Sequence, residues 1–249
     1  MYPLVYALLP GKSETVYTKF LTLLKQACDQ HQLQLQPITI FLDYEIAIRN
    51  AAYRIFPGIT AKGCFFHYTQ CIWRKTQDTG LQIHYKNNNH IKTLFRRAAV
   101  LPLVPIEHVQ DIWFNALVDI NLADTNINTE SFTDYVTEYW VESHQHIWNH
   151  FDTDGPRKTN HLEGWHHKLK NHVVHSHPNI FYLINLLKEQ QASTEIKLIQ
   201  YSAGGKCVPR KRKYVEIDNR LVNLKSRLRN NLITPVNYAD AASHLLHLE

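Results

Sequence analysis

The sequence predicts an α/β fold whose strands are confined to its N-terminal third. Two observations carry this. Over residues 1–78, short apolar runs that suit strands alternate with stretches whose apolar residues recur at helical spacing. Beyond Gly80 only the helical pattern continues.

The elements follow in order. Tyr2–Leu9 is rich in aliphatic and aromatic residues and ends at Pro10-Gly11, so it reads as a strand. Ser13 can cap the next helix, and Glu14 suits its first turn. Val16, Phe20, Leu23, Leu24 and Ala27 recur along it at helical spacing. Ile38–Leu42 is a continuous apolar run of the kind found in a sheet buried on both faces. Glu45–Ile55 reads as a helix with Ile46, Ile48, Ala52 and Ile55 inward, stopped by Phe56-Pro57-Gly58. Ile59–Phe65 reads as another short strand, and a helix begins near His67. His90–Ala99, Ile106–Ile120 and Glu130–Phe151 read as helices. After a break at Asp152–Pro156, helices resume from Asn160 to about Leu198, interrupted at His177-Pro178. The expected division is an α/β core at 1–78, a helical insertion at 79–155, returning helices at 156–203 and a basic C-terminal tail at 204–249.

Composition narrows the classes. With 249 residues and 44% hydrophobic content, the chain can bury a real core, which argues against disorder. The longest apolar runs are too short to span a bilayer, so no membrane role is expected. Cys28, Cys64, Cys71 and Cys207 are scattered without disulfide spacing and no signal-peptide pattern stands before them, which fits a reducing compartment. A net charge of +5 is compatible with a polyanionic partner without demanding one.

Three short motifs carry the candidate chemistry. Asp43 ends the strand Ile38–Leu42 and precedes a helix. In open α/β sheets ligands gather at the carboxyl ends of strands; the alternative is that Asp43 merely caps the helix. Glu163 lies early in the helix begun near Thr159 or Asn160. Together with His166, His167 and Lys170 it forms a polar stripe, which is either functional or simply solvated. Cys64 and His67 have C-x-x-H spacing, and a zinc site would need two further ligands.

In this order the motifs resemble the catalytic domain of Mutator-like element (MULE) transposases. Tyr2–Glu14 is similar to a strand and helix start of that domain. Phe41-Leu42-Asp43 resembles the strand end bearing its second catalytic acid. Gly63-Cys64-Phe65-Phe66-His67 resembles its C-x-x-H motif, and Thr159–His166 the segment bearing its third acid. The resemblance runs from Tyr2 to about Leu187 and leaves the tail uncovered.

That resemblance implies a partial RNase H-like (DDE transposase) fold with a large all-helical insertion. It implies that Asp43 and Glu163 approach each other as the second and third acids of a catalytic, metal-binding set. Two Mg²⁺ or Mn²⁺ ions would serve DNA phosphoryl transfer there. Cys64 and His67 are then structural motif residues. The first catalytic Asp and two strands of the family pattern would precede Tyr2, so the site is expected to be incomplete and inactive in this chain. The sheet is expected to keep unpaired edges, which invites a homo-oligomer or a strand-donating partner. Competing readings are a domesticated, non-catalytic nucleic-acid-binding protein and a zinc-stabilised interaction module. Arg210, Lys211, Arg212 and Lys213 form a compact basic cluster that suits DNA contact or nuclear import. The expected partner is therefore DNA, and the expected compartment the nucleus.

Overall fold

A parallel pair of strands needs a crossover connection, and the chain supplies one. In the computed structural model β1 (Thr39–Leu42) pairs in parallel with β2 (Thr60–Gly63), with Thr39 opposite Thr60 and Leu42 opposite Gly63. Helix α2 (Ile46–Ile55) lies between them in sequence, where a tight hairpin could only reverse direction. The structure describes residues 3–123, 126–153, 160–173, 178–205, 209 and 211–246, excluding the side chains of 160–163, 166 and 168. The rest of the described chain is predominantly helical, so the class is mixed α/β with a small parallel sheet.

Two sequence expectations about strands are corrected. The strand expected over Tyr2–Leu9 is not found: Tyr2 lies outside the described residues, and Pro3–Leu9 forms no ladder. A strand exists only through a neighbour's hydrogen bonds, and no described strand pairs with this segment. Its aliphatic residues Leu4, Val5, Leu8 and Leu9 stay out, Leu4 being 82% exposed. Nor is Ile38–Leu42 buried on both faces. β1 alternates exposed and half-buried residues, and Ile38 is 83% exposed, because among the described residues the sheet has only two strands.

The chain divides into two compact units. The first comprises Met1–Gln36, Ile46–Pro57 and Lys158–Lys211. It contains α1 (Glu14–Gln30), α2, and two further helices over Asn160–His172 and Ile180–Ser202. Ser13 caps α1 as its sequence indicates, accepting from the Val16 amide at 3.3 Å. Glu14 ties α1 to α2 by pairing with Arg54 at 2.7 Å and accepting from Asn50 at 3.1 Å. The buried positions of α1 are Tyr17 and Leu21, with Leu24 and Cys28 half-buried in the same stripe. The expected face is thus displaced: Leu23 and Ala27 are exposed. In α2 the fully buried pair is Ala51 and Ala52, while Ile46 lies in solvent.

The second unit comprises Pro37–Glu45, Gly58–Arg157 and Arg212–Glu249. It holds both strands, α3 (Phe65–Asp78), α4 (Gln82–Tyr85), α5 (Asn89–Val100), α6 (Val109–Leu122), α7 (Glu130–Val136) and α8 (Gln145–Trp148). Numbering the Asn160 and Ile180 helices α9 and α10, its last two helices are α11 (Arg212–Arg229) and α12 (Pro235–Ser243). Helix α3 begins at Phe65, slightly before the expected His67. Tyr68, Ile72, Phe95, Ile112, Trp113 and Trp148 fill the core. Buried polar groups there find partners. Tyr68 donates to the Ala98 carbonyl at 2.9 Å, and Tyr238 to that of Leu103 at 2.7 Å. The buried Arg97 guanidinium meets Asp119 at 2.6 Å and Asp240 at 2.8 Å. Thr137–Val141 widens into a π turn. Its Thr137 hydroxyl accepts from the Trp113 indole at 2.8 Å.

Candidate functional site

The carboxyl end of the parallel pair gathers the sequence-selected residues of the second unit. Asp43 follows β1 directly. Cys64 follows β2 and takes the N-cap place of α3, its amide donating to the Leu42 carbonyl at 2.9 Å. In the first turn of α3, His67 faces back toward the strand end. Its Nδ1 lies 2.7 Å from Asp43 Oδ1, a close approach that is off the line of a good hydrogen bond. Asp43 is 61% exposed at its side chain and His67 28%, so the carboxylate is open to solvent and the imidazole is largely covered.

Tyr44 closes the base of this corner. Its ring lies against Gly63, where an added Cβ would fall 2.3 Å from the Tyr44 ring. Only a residue without a side chain allows that contact. The phenol donates to the Cys64 carbonyl at 3.3 Å, and the ring meets Trp140 edge-on at 4.9 Å. Burial pushes the Tyr44 phenol pKa far up, and Cys64, Cys71 and Asp43 add to the rise. Cys71, one turn beyond His67, is also raised, first by burial and then by Asp43, against an opposing effect of Arg74. Its thiol therefore resists ionising to a nucleophilic thiolate.

Sequence reading missed two residues that hold this corner in place. His150 is fully buried, and its Nε2 lies 2.7 Å from the Gly63 carbonyl. A carbonyl only accepts, so Nε2 carries the proton and donates. Lys62, from β2, donates to the carbonyls of His146 and Asn149 at 2.9 Å each. Burial lowers its pKa, with Asp152 working against the shift. No local spacing marks either residue, since their partners are backbone carbonyls distant in sequence.

The other sequence-selected residues fall as follows. Glu163 lies on α9, but its side chain is outside the described residues, as is the expected approach of Asp43 and Glu163. In the same unit as α9, Tyr6 stacks on Trp165 with ring centroids 5.5 Å apart, so the Tyr2–Glu14 and Thr159–His166 motifs touch. Arg210 lies outside the described residues. Lys211 precedes α11, Arg212 opens it and pairs with Glu216 at 2.8 Å, and Lys213 follows, exposed.

Among the described residues no three His, Cys, Asp or Glu side chains converge as metal ligands. Asp43 offers a hard oxygen donor and His67 a nitrogen. Two such donors fall short of both a tetrahedral zinc site and an oxygen-rich Mg²⁺ site. The described residues therefore do not make a metal centre by themselves. What they provide is a rigidly based carboxylate at a strand end, with an imidazole beside it.

No helix among the described residues is long and apolar enough to cross a membrane. No curated protein and no solved structure matches the chain. A family model does match: residues 1–71 fit the MULE transposase domain, and over that stretch, which includes Asp43, Cys64 and His67, the chain is MULE transposase-like.

Proposed function

We propose that this chain derives from a MULE-type transposase and binds DNA without cutting or joining it on its own. The observation that carries the reading is the strand-end corner: Asp43 beside His67, both inside the matched residues 1–71. A carboxylate at that place is where the complete family would set its second acid, within a partial RNase H-like fold and a DDE site for DNA phosphoryl transfer. Glu163 stands as the third acid. In this reading Asp43 and Glu163 hold Mg²⁺ or Mn²⁺ only weakly.

The non-catalytic reading rests on the donor set at the strand end. Asp43 and His67 offer two donors, fewer than a two-metal site takes, and among the described residues no three His, Cys, Asp or Glu side chains converge. Cys64 and His67 serve the scaffold in this reading. DNA affinity and nuclear import rest on the basic run that includes Arg210, Lys211, Arg212 and Lys213. A self-pairing copy or a strand-donating partner remains the natural cover for the exposed edge of β1.

The test is direct. Purified protein is incubated with supercoiled plasmid and Mg²⁺ or Mn²⁺, and nicked product is followed. The expected result is DNA binding with no nicking above background. Nicking abolished by Asp43→Asn would establish an active enzyme and overturn the non-catalytic reading. A fluorescent fusion that stays out of the nucleus with and without the Arg210–Lys213 cluster would remove the localisation.

A further inference from the structure

The basic residues of α11 divide into two sets with different jobs. Leu221 and Leu228 are buried and fasten the helix to the core of the second unit. Lys225 donates to the Phe151 carbonyl and lies over the Phe151 ring. Arg229 also lies over that ring and pairs with Asp152 at 2.9 Å. These two cations hold the helix down. Lys213, Arg220 and Arg227 do not: all three are exposed and enter no ion pair among the described residues.

Their spacing is regular. Each follows the last by seven residues, two helical turns less about 20°, so the three stand in one row about 21 Å long. The flank of that row carries Asn219, Asn223 and Asn230, all exposed. Of the acids on α11, the one nearest the row is Glu216, which pairs with Arg212 at 2.8 Å; Asp218 projects from the opposite side of the helix. Folding gains nothing from lining up three unpaired cations, since exposed charges about 10.5 Å apart neither pair nor support one another. A polyanion gains a great deal, since duplex DNA carries one negative charge per about 1.7 Å of its axis. Asparagine amides beside such cations suit phosphate and sugar oxygens.

We propose that this outward face of α11, centred on Lys213, Arg220 and Arg227 and flanked by the three asparagines, is the surface on which the chain holds the phosphate backbone of duplex DNA. The proposal rests on the DNA-binding reading above and places that binding on a folded helix instead of on the Arg210–Lys213 segment alone.

The experiment is fluorescence anisotropy with a labelled mixed-sequence duplex over a range of salt concentrations. It compares the intact chain, the triple variant Lys213→Ala/Arg220→Ala/Arg227→Ala, and the charge-matched control Lys19→Ala/Lys25→Ala/Lys188→Ala. Three lost phosphate contacts should flatten the slope of log affinity against log salt by about 2.7, at about 0.9 per contact. The control should keep the full slope. If the intact chain fails to bind DNA even at low salt, the underlying reading is wrong. If it binds and the triple variant keeps its slope, or if the control loses as much, the α11 proposal alone is overturned. Phosphatidylserine vesicles form a separate arm. Vesicle binding lost in the triple variant, with DNA binding retained, would assign the face to a membrane surface and sink the proposal. Should the triple variant lose helical circular dichroism, the single substitution Arg220→Glu supplies the same readout, with a slope reduced by at least about 0.9.

Discussion

Asp43 and His67, 24 positions apart in sequence, meet at 2.7 Å at the carboxyl end of β1. The strand places the acid and the first turn of α3 places the imidazole, so neither position depends on a long loop. That is a rigid way to present a carboxylate to solvent, and it follows from the register that sets Leu42 opposite Gly63.

Because Asp43 is 61% exposed, its pairing with His67 should add little to stability. Asp43→Asn is expected to cost less than about 1 kcal/mol in urea unfolding. A loss of several kcal/mol would mean that the pair is structural and would weaken the case for Asp43 as a functional residue.

Gly63 should be far less tolerant. Its Cβ would meet the Tyr44 ring at 2.3 Å, so Gly63→Ala should destabilise by about 1–3 kcal/mol. Tyr44→Ala is itself costly, but in that background Gly63→Ala should become nearly neutral. Additive effects in the four-member mutant cycle would disprove the close contact as the cause.

His150 offers a second probe of the same corner. His150→Phe keeps much of the buried bulk but leaves the Gly63 carbonyl without its donor. The expected loss is about 1–3 kcal/mol, the cost of an unsatisfied buried acceptor. Unchanged stability would show that the bond contributes nothing net.

The tyrosines make an alkaline prediction. Burial raises the phenol pKa of both Tyr44 and Tyr68 above the ordinary 10.0, with nearby ionisable groups adding to each shift. A raised folded pKa means the folded state binds protons that the unfolded state has already lost. The associated stability is therefore complete below pH 10 and falls as pH rises above it. Unfolding midpoints measured above pH 10 should drop, and Tyr44→Phe should flatten that drop. Phenolate absorbance that titrates near pH 10 without loss of tertiary structure would contradict the burial argument.

Local pattern made much of this protein legible. The apolar run before Asp43 and the helical spacing after Ser13 depend on neighbours a few residues away. Thr39–Leu42, the Ser13 cap and the succession of helices beyond Gly80 could therefore be read directly. The helix expected near His67 begins two residues earlier, at Phe65.

Tertiary structure decided what local pattern could not. A strand is made by its neighbour, so Pro3–Leu9 has the composition of a strand and no ladder. Burial is assigned by whatever packs against a face, so α1 turned Tyr17 and Leu21 inward in place of the expected stripe. The basic residues of α11 look alike in sequence. Only the position of Phe151 and Asp152 separates Lys225 and Arg229, which brace the fold, from Lys213, Arg220 and Arg227, which face solvent. Composition and periodicity act within one or two turns of chain, and so the sequence by itself determined the strand before Asp43, the helices that flank it and the helical character beyond Gly80. Partnership between groups 74 or 87 residues apart, as in Lys225 with Phe151 or His150 with Gly63, exists only once the chain has closed on itself.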